Sequence, residues 1–245
     1  MAPIRHFDVI VVGLGTAGSA TCMELARRGI AVLGLDAFAP PHTRASHHGE
    51  SRSIRRAYME GTTYVPMAMR AWDLWRRLEQ DTGQSLLIET ANLTIGPPDA
   101  PAIAGFLKSA RSYHIPFEYL TALEVRARWP QLHVPSAYTA GLEIQAGIVF
   151  SESAVRTFLG EADRAGAVLH VDEPVLRWEE TQTGIRVHTA ACKYDTGRLL
   201  LAAGAGNTQL MTRSGTPLTV KRVPVCWVTA PRGKNFKIGS FPVNF

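Results

Sequence analysis

The stretch that decides the fold is FDVIVVGLGTAG, residues 7–18. It opens with an apolar run ending at Val12, which is typical of a buried strand in a parallel sheet. Gly13, Gly15 and Gly18 follow in the G-x-G-x-x-G spacing, at the junction of an expected strand and an expected helix. Such glycines permit the tight turn, the approach of a pyrophosphate to the backbone and close helix–strand contact, respectively. The stretch therefore predicts a dinucleotide site at the start of a helix.

An acidic residue follows at the expected distance. The sequence predicts a helix over residues 16–28 that stops at Gly29, and a second strand over residues 31–35 that ends at Asp36. A carboxylate there can accept hydrogen bonds from ribose hydroxyls and would repel a 2′-phosphate. The pattern favours FAD or NAD and does not separate them. The alternative is a glycine-rich turn in another α/β protein, with Asp36 as an N-cap.

Composition bounds the class of protein. The 245 residues suffice for one large or two small domains, and 46% hydrophobic with 19% charged residues is typical of a globular protein. The net charge of +5 comes from scattered arginines rather than a basic block, which disfavours nucleic acid as a partner. Three widely spaced cysteines indicate reduced thiols in a cytoplasmic protein. We expect no signal peptide, no membrane span and no membrane partner.

Later segments predict the remaining elements. We expect helices over residues 64–80, 100–113, 121–128 and 151–164, and strands over 86–95, 168–171, 175–178, 185–189, 198–203 and 219–229, with a hairpin or pair of strands within 138–150. A β-rich segment at 168–189, followed by a strand ending in AAGAG at 202–206, is typical of a flavin domain of the glutathione-reductase type, so FAD is favoured over NAD.

The predicted fold is α/β, with a Rossmann-like FAD-binding domain and a mixed-sheet substrate domain. We assign residues 1–85 and 147–215 to the first and residues 86–146 and 216–245 to the second.

A basic cluster, SHHGESRSIR, occupies residues 46–55. His47 and His48 can exchange protons near neutral pH. Arg52 and Arg55 would share one face if the segment were helical, and an arginine can bind a substrate carboxylate through paired hydrogen bonds. The alternative is a solvated basic loop. Metal binding is disfavoured because no further ligand pattern completes a site.

Several motifs together carry a family resemblance. They are DAFAPPH at 36–42, the basic cluster at 46–55, AYMEGTTYVP at 57–66, RWP at 128–130 and FSE at 150–152. With them, the chain resembles the monomeric sarcosine oxidase and N-methyl-L-tryptophan oxidase family of flavoproteins. The resemblance implies FAD, a monomer, and oxidation of an N-methyl amino acid by oxygen to formaldehyde, primary amino acid and hydrogen peroxide.

The resemblance also implies roles for single residues. Arg55 would contact the substrate carboxylate, and His48 and Arg52 would lie beside the isoalloxazine. The residues expected at the cofactor are Gly13, Gly15, Gly18, Asp36, Ser46, His47, Ser51, Val175 and Gly204.

The chain departs from the family pattern in two places. Arg56 stands where relatives often carry histidine. Relatives also continue beyond the position of Phe245 with a segment that carries the flavin-attachment cysteine and two active-site lysines, so we expect a C-terminally truncated chain. A non-catalytic flavin- or nucleotide-binding fragment therefore stays open as an alternative, as does an NAD-dependent dehydrogenase.

Overall fold

The computed structural model describes residues 5–211, 215–230 and 236–244. It divides into two compact units, one formed by Met1–Ser51 with Ser151–Val225 and the other by Arg52–Phe150 with Cys226–Phe245. The strands and helices run in the order β1 (Arg5–Val12), α1 (Thr16–Arg27), β2 (Val32–Leu35), β3 (Arg52–Ile54), α2 (Val65–Thr82), β4 (Leu87–Glu89), β5 (Asn92–Gly96), α3 (Pro101–Ser112), β6 (Phe117–Thr121), α4 (Ala122–Arg128), β7 (Thr139–Glu143), β8 (Gly147–Val149), α5 (Ser151–Arg164), β9 (Val168–His170), β10 (Val175–Thr181), β11 (Gly184–Thr189), β12 (Lys193–Leu201), α6 (Asn207–Leu210) and β13 (Val243–Asn244).

The first unit is built on a six-stranded sheet in the order β10-β11-β12-β1-β2-β9. Strands β12, β1, β2 and β9 are parallel, whereas β10, β11 and β12 form an antiparallel meander. The apolar residues of β1 and β2 are buried against the meander, where Ile10 and Leu33 join Val187 and Tyr194 in one core cluster. Helix α1 packs against α5. This is the expected Rossmann-like arrangement, except that β9 pairs with β2 instead of joining the meander.

The second unit contains two smaller sheets. The sheet β13-β5-β7-β6 is mixed, because β13 runs parallel to β5 while the other pairs are antiparallel. The sheet β3-β8-β4 is antiparallel. One face of the mixed sheet buries Leu93, Ala140 and Leu142 against Val125 of α4. Helix α4 begins with the capping box expected at Thr121 and Glu124.

Two strand predictions were wrong in detail, and for a third segment the structure decides between the two alternatives. Residues 86–95 form two strands of different sheets, separated at Ala91, which has a φ of 60°. Residues 138–150 do form two strands, but β7 and β8 lie in different sheets and make no hairpin. No strand is assigned to residues 219–229, where Val223 and Val228 are 81% and 88% exposed. Alternating side chains form a strand only where a neighbouring strand accepts their backbone hydrogen bonds.

The unit boundaries also differ from those predicted. Residues 52–85 and 147–150 fall in the second unit, although we expected them in the first, and residues 216–225 fall in the first unit, although we expected them in the second. The reason for the first difference is strand pairing: β3 pairs with β8, which pairs in turn with β4.

Among the helices that the structure describes, none combines the length and apolar character that crossing a membrane requires.

Candidate functional site

The three glycines of the first turn differ in what requires them. Gly13 has a φ of 95°, and a Cβ there would lie 2.5 Å from the Ala202 carbonyl oxygen. A Cβ on Gly18 would lie 1.8 Å from the Gly13 oxygen, so the fold itself demands both glycines. A Cβ on Gly15 would meet only the His47 ring, at an ordinary 3.6 Å. The bare backbone at Gly15 is therefore not needed for packing, and it fits the close approach of a phosphate.

The helix that follows presents an open N-terminus. No side chain caps α1 at Gly15, and its first turn contains no acidic residue. Thr16 and Ala17 are exposed. Backbone N–H groups and the positive end of the helix dipole thus stand beside the glycine turn, an arrangement that favours an anion.

Asp36 faces the same turn. Its Oδ2 accepts a hydrogen bond from the Leu14 N–H at 2.6 Å, and its Oδ1 accepts one from the Phe38 N–H at 2.9 Å. Each carboxylate oxygen has two lone pairs, so Asp36 retains acceptor capacity for a ribose hydroxyl. His42 Nε2 lies 3.6 Å from Asp36 Oδ1, and the buried His42 Nδ1 finds no hydrogen-bond partner among the described residues. Sequence reasoning gave His42 no role, although it lies in one of the quoted motifs.

Two more distant segments reach this region. The backbone of Asp36 is bonded on both sides to the loop before Val175: its N–H donates to the His170 oxygen at 3.0 Å, and its oxygen accepts from the Glu173 N–H at 2.9 Å. Val175 opens β10 and packs against the core of the first unit. Gly204 has a φ of 54° and follows directly after the residues that abut Gly13. The structure thus gathers segments from three parts of the sequence around the glycine turn.

The histidine-containing loop is held by the start of α5. Glu152 Oε1 accepts a hydrogen bond from the Gly49 N–H at 3.2 Å and lies 3.1 Å from His48 Nδ1. Ser151 Oγ donates to the His47 oxygen at 2.7 Å. The Gly49 N–H is the main cause that lowers the pKa of Glu152, and His48 contributes. Sequence reasoning assigned Ser151 and Glu152 no role in the site beyond the short motif at 150–152.

The remaining residues of the loop differ in exposure. Ser46 is exposed and Ser51 is half-buried. The Ser51 N–H donates to the Gly49 oxygen at 2.7 Å, so a local turn shapes the end of the loop.

Arg52 and Arg55 belong to the second unit. Arg52 begins β3, opposite Val149, and Arg55 follows directly after that strand, so the segment is not helical and the condition for a shared helical face is not met. Arg55 forms an ion pair with Glu60 at 2.7 Å, and its guanidinium carbon lies 4.8 Å from the centre of the Tyr58 ring. Arg55 therefore already binds one carboxylate. Within residues 5–211, 215–230 and 236–244, no group of three or more metal-ligating side chains is found.

The parallel sheet, the glycine turn and Asp36 define a dinucleotide-binding α/β protein. The chain belongs to the family of FAD dependent oxidoreductases, whose family model matches residues 8–244. FAD is thereby confirmed as the cofactor of the family, ahead of NAD.

Curated relatives share much of the sequence. The chain is 41% identical to a monomeric sarcosine oxidase of Streptomyces avermitilis over 227 residues, which are 93% of this chain and 59% of that protein. It is 33% identical to an N-methyl-L-tryptophan oxidase of Citrobacter koseri over 236 residues, which are 96% of this chain and 63% of that one. The chain thus spans between 54% and 63% of the length of the curated relatives it matches.

Solved structures share the fold. NikD, an unusual amino acid oxidase essential for nikkomycin biosynthesis, superposes with a TM-score of 0.77 at 26% identity, covering 84% of this chain and 53% of NikD. Glycine oxidase from Geobacillus kaustophilus gives a TM-score of 0.74 at 22% identity, covering 87% of this chain and 60% of that one.

Proposed function

We propose that the protein is an FAD-dependent oxidase of N-methyl amino acids, of the sarcosine or N-methyl-L-tryptophan type. The observation that carries the proposal is the 41% identity to a monomeric sarcosine oxidase over 93% of the chain. The reaction takes an N-methyl amino acid, oxygen and water to the primary amino acid, formaldehyde and hydrogen peroxide.

The residues of the first unit fit the cofactor. The bare backbone at Gly15 and the uncapped start of α1 would hold the pyrophosphate, and Asp36 would bind the ribose. We assign the further cofactor contacts to Gly13, Gly18, Ser46, His47, Ser51, Val175 and Gly204. When bound, FAD supplies the electron acceptor for the N-methyl carbon of the substrate.

The chain's own residues would bind and orient the substrate. Arg55 binds a carboxylate in the structure, because its Nη2 donates a hydrogen bond to Glu60 Oε1 at 2.7 Å. We propose that it would hold the substrate carboxylate by paired hydrogen bonds. Arg52 would provide positive charge where negative charge develops during oxidation, and His48, fixed at Nδ1 by Glu152, would lie beside the same group. Water then hydrolyses the substrate imine to formaldehyde and the primary amine.

Cofactor binding is tested by titrating the purified chain with FAD. We expect FAD absorbance and fluorescence to change on binding, and the affinity to fall about tenfold or more in Asp36→Asn, which loses a charged acceptor. Asp8→Asn is the matched control, because Asp8 Oδ2 also accepts a backbone hydrogen bond, from Ala31 at 3.0 Å, and leaves the glycine turn untouched. Equal affinity in Asp36→Asn would contradict the assignment.

Turnover is tested with the FAD-loaded protein. We expect hydrogen peroxide and formaldehyde in equal amounts from sarcosine or N-methyl-L-tryptophan. FAD binding without peroxide from either substrate would favour a non-catalytic flavin-binding protein. Saturable NADH binding without flavin affinity would favour a dehydrogenase.

We further propose that the protein acts as a monomer in the cytoplasm. The free thiols of Cys22, Cys192 and Cys226 support a reducing compartment. Burial raises the pKa of the Cys22 thiol to about 12, which keeps it protonated and unreactive. Light scattering of the FAD-loaded protein tests the oligomeric state.

A further inference from the structure

A fully buried carboxylate lies in the second unit, outside the residues assigned so far. Glu143, the last residue of β7, has no exposed surface. Its Oε1 accepts a hydrogen bond from the Arg56 N–H at 2.8 Å, and its Oε2 accepts one from the Ala57 N–H at 3.0 Å. Arg56 Nε lies 3.6 Å from the same carboxylate. Glu143 therefore binds the main chain directly after Arg55.

Helix α3 contacts the carbonyl groups of the next two residues, Tyr58 and Met59. Ser109 Oγ, buried on α3, donates to the Tyr58 oxygen at 2.6 Å. A Cβ on Gly105, one turn earlier on α3, would lie 2.0 Å from the Met59 oxygen, so backbone and helix are in close contact there. We call Glu143, Ser109 and Gly105 the clamp. The clamp binds the Arg56 and Ala57 N–H groups and the Tyr58 carbonyl, and it packs against the Met59 carbonyl.

Burying the Glu143 carboxylate carries a cost in the free energy of folding. Burial raises the pKa of Glu143 even though the Ala57 and Arg56 N–H groups and the Arg56 side chain favour the ionised form. Asn92 of β5 lies directly opposite Glu143 of β7 and is also fully buried. Its side-chain amide atoms, Nδ2 and Oδ1, make no hydrogen bond within the part of the chain that the structure describes. An apolar side chain at position 143 would avoid this desolvation cost but would leave the Arg56 and Ala57 N–H groups without an acceptor. The geometry of the bound segment therefore accounts for Glu143 better than stability does.

The clamp binds the backbone beside the side chains of Arg55 and Tyr58 and so determines where these side chains lie. Arg55 immediately precedes the two N–H groups that Glu143 binds, and its guanidinium lies over Tyr58, whose carbonyl Ser109 binds. We propose that Glu143 is a positioning residue that presents Arg55 to the substrate carboxylate. The inference rests on the proposed function, because it needs Arg55 to bind substrate.

The test compares Glu143→Gln with Glu118→Gln in the FAD-loaded full chain. Glutamine keeps the size of Glu143 but turns an amide NH₂ toward one of the two N–H groups. Glu118 is a suitable control because it lies in β6 of the same sheet, where it pairs with Arg128 at the surface. In Glu143→Gln we expect faster hydrogen exchange in peptides covering residues 55–59. The KM for sarcosine should rise about tenfold, with kcat within about twofold of wild type.

A substrate without a carboxylate separates positioning from general damage. N-methylisobutylamine has the same heavy-atom skeleton as sarcosine and no carboxylate, so its kcat/KM should be the same in Glu143→Gln and wild type. If Glu143→Gln does not fold, Ser109→Ala releases the Tyr58 carbonyl of the same segment and should raise the KM for sarcosine selectively.

The outcomes distinguish the two proposals. Wild-type protein that does not oxidise sarcosine or N-methyl-L-tryptophan would overturn the proposed function. Wild-type turnover of sarcosine together with an unchanged KM in Glu143→Gln, or an equal loss with both amines, would overturn the positioning role alone.

Discussion

Gly15 and Gly18 show that the same residue in one motif can serve two purposes. A side chain on Gly18 would collide with the Gly13 oxygen, whereas a side chain on Gly15 has room. Gly18 is therefore required for folding, whereas packing among the described residues does not require Gly15. The sequence does not reveal this difference, because both glycines belong to the same G-x-G-x-x-G motif.

We expect Gly15→Ala and Gly18→Ala to separate affinity from stability. Gly15→Ala should weaken FAD binding about tenfold while changing the free energy of unfolding by no more than about 1 kcal/mol. In Gly18→Ala the free energy of unfolding should fall by about 3 kcal/mol or more, because α1 must move away from β1. FAD titration and urea unfolding measure both quantities. Unchanged FAD affinity in Gly15→Ala would show that the ligand does not approach the backbone there.

The proximity of candidate site residues to one another was predictable where the signal is local. The glycine turn and Asp36 lie within one strand–helix–strand unit, so their spacing in the sequence was sufficient to predict that they lie close together. Glu152 and Glu143 act on residues 103 and 86 positions away in the chain, at Gly49 and Ala57. Nothing in the local sequence around either glutamate indicates such a partner.

At the scale of elements, helices were predicted better than strands. Helix α5 has the bounds expected, and α2 and α3 agree to within two residues at each end. Their signals are local: apolar spacing, and glycines such as Gly166, which has a φ of 92° and follows α5. Strands depend on partners far away in the sequence. Strand β6 was therefore missed, and residues 219–229 were wrongly expected to form one.

The start of α5 should control the order of the histidine loop. We expect Glu152→Gln to speed hydrogen exchange of residues 46–51 at neutral pH, by about threefold to tenfold, because the Gly49 N–H loses a charged acceptor. The lowered pKa of Glu152 gives the sign of the pH effect: the carboxylate holds the loop above its usual pKa of 4.5 and releases it as the pH falls through the lower folded value.

Exchange rates corrected for intrinsic pH dependence measure the effect. Glu161→Gln is the matched control, because Glu161 lies on the same helix and pairs with Arg27 of α1 instead. Equal exchange in wild type and Glu152→Gln would show that Ser151 alone holds the loop.

At the scale of the molecule, the fold class was predictable and the boundary between the units was not. The two-unit, discontinuous arrangement follows from the interrupted strand–helix pattern. The actual boundary after Ser51 depends on β3 joining β8, a pairing between residues almost a hundred positions apart. No local composition change marks it.

The stability of the whole first unit should depend on pH through Glu173. Burial opposes its ionisation, but hydrogen bonds from Thr189, Tyr194 and His170 together lower the pKa of Glu173 from its usual value of 4.5. Its contribution is present above that value and is lost as the pH falls through the folded pKa. We expect Glu173→Gln to lower the urea midpoint at about pH 7 and to flatten its decline between about pH 6 and pH 3. Glu180→Gln, an exposed change in β10, is the control, and a decline as steep as wild type in Glu173→Gln would contradict the assignment.

The place of β12 beside β1 has a consequence for biosynthesis. Val12 pairs with Leu201, so the central strand of the first sheet gains its second neighbour only after almost two hundred residues have left the ribosome. Contacts of such high sequence separation slow folding. The nascent chain must keep the apolar edge of β1 from aggregating throughout that interval, which makes this half of the protein a natural client for chaperones.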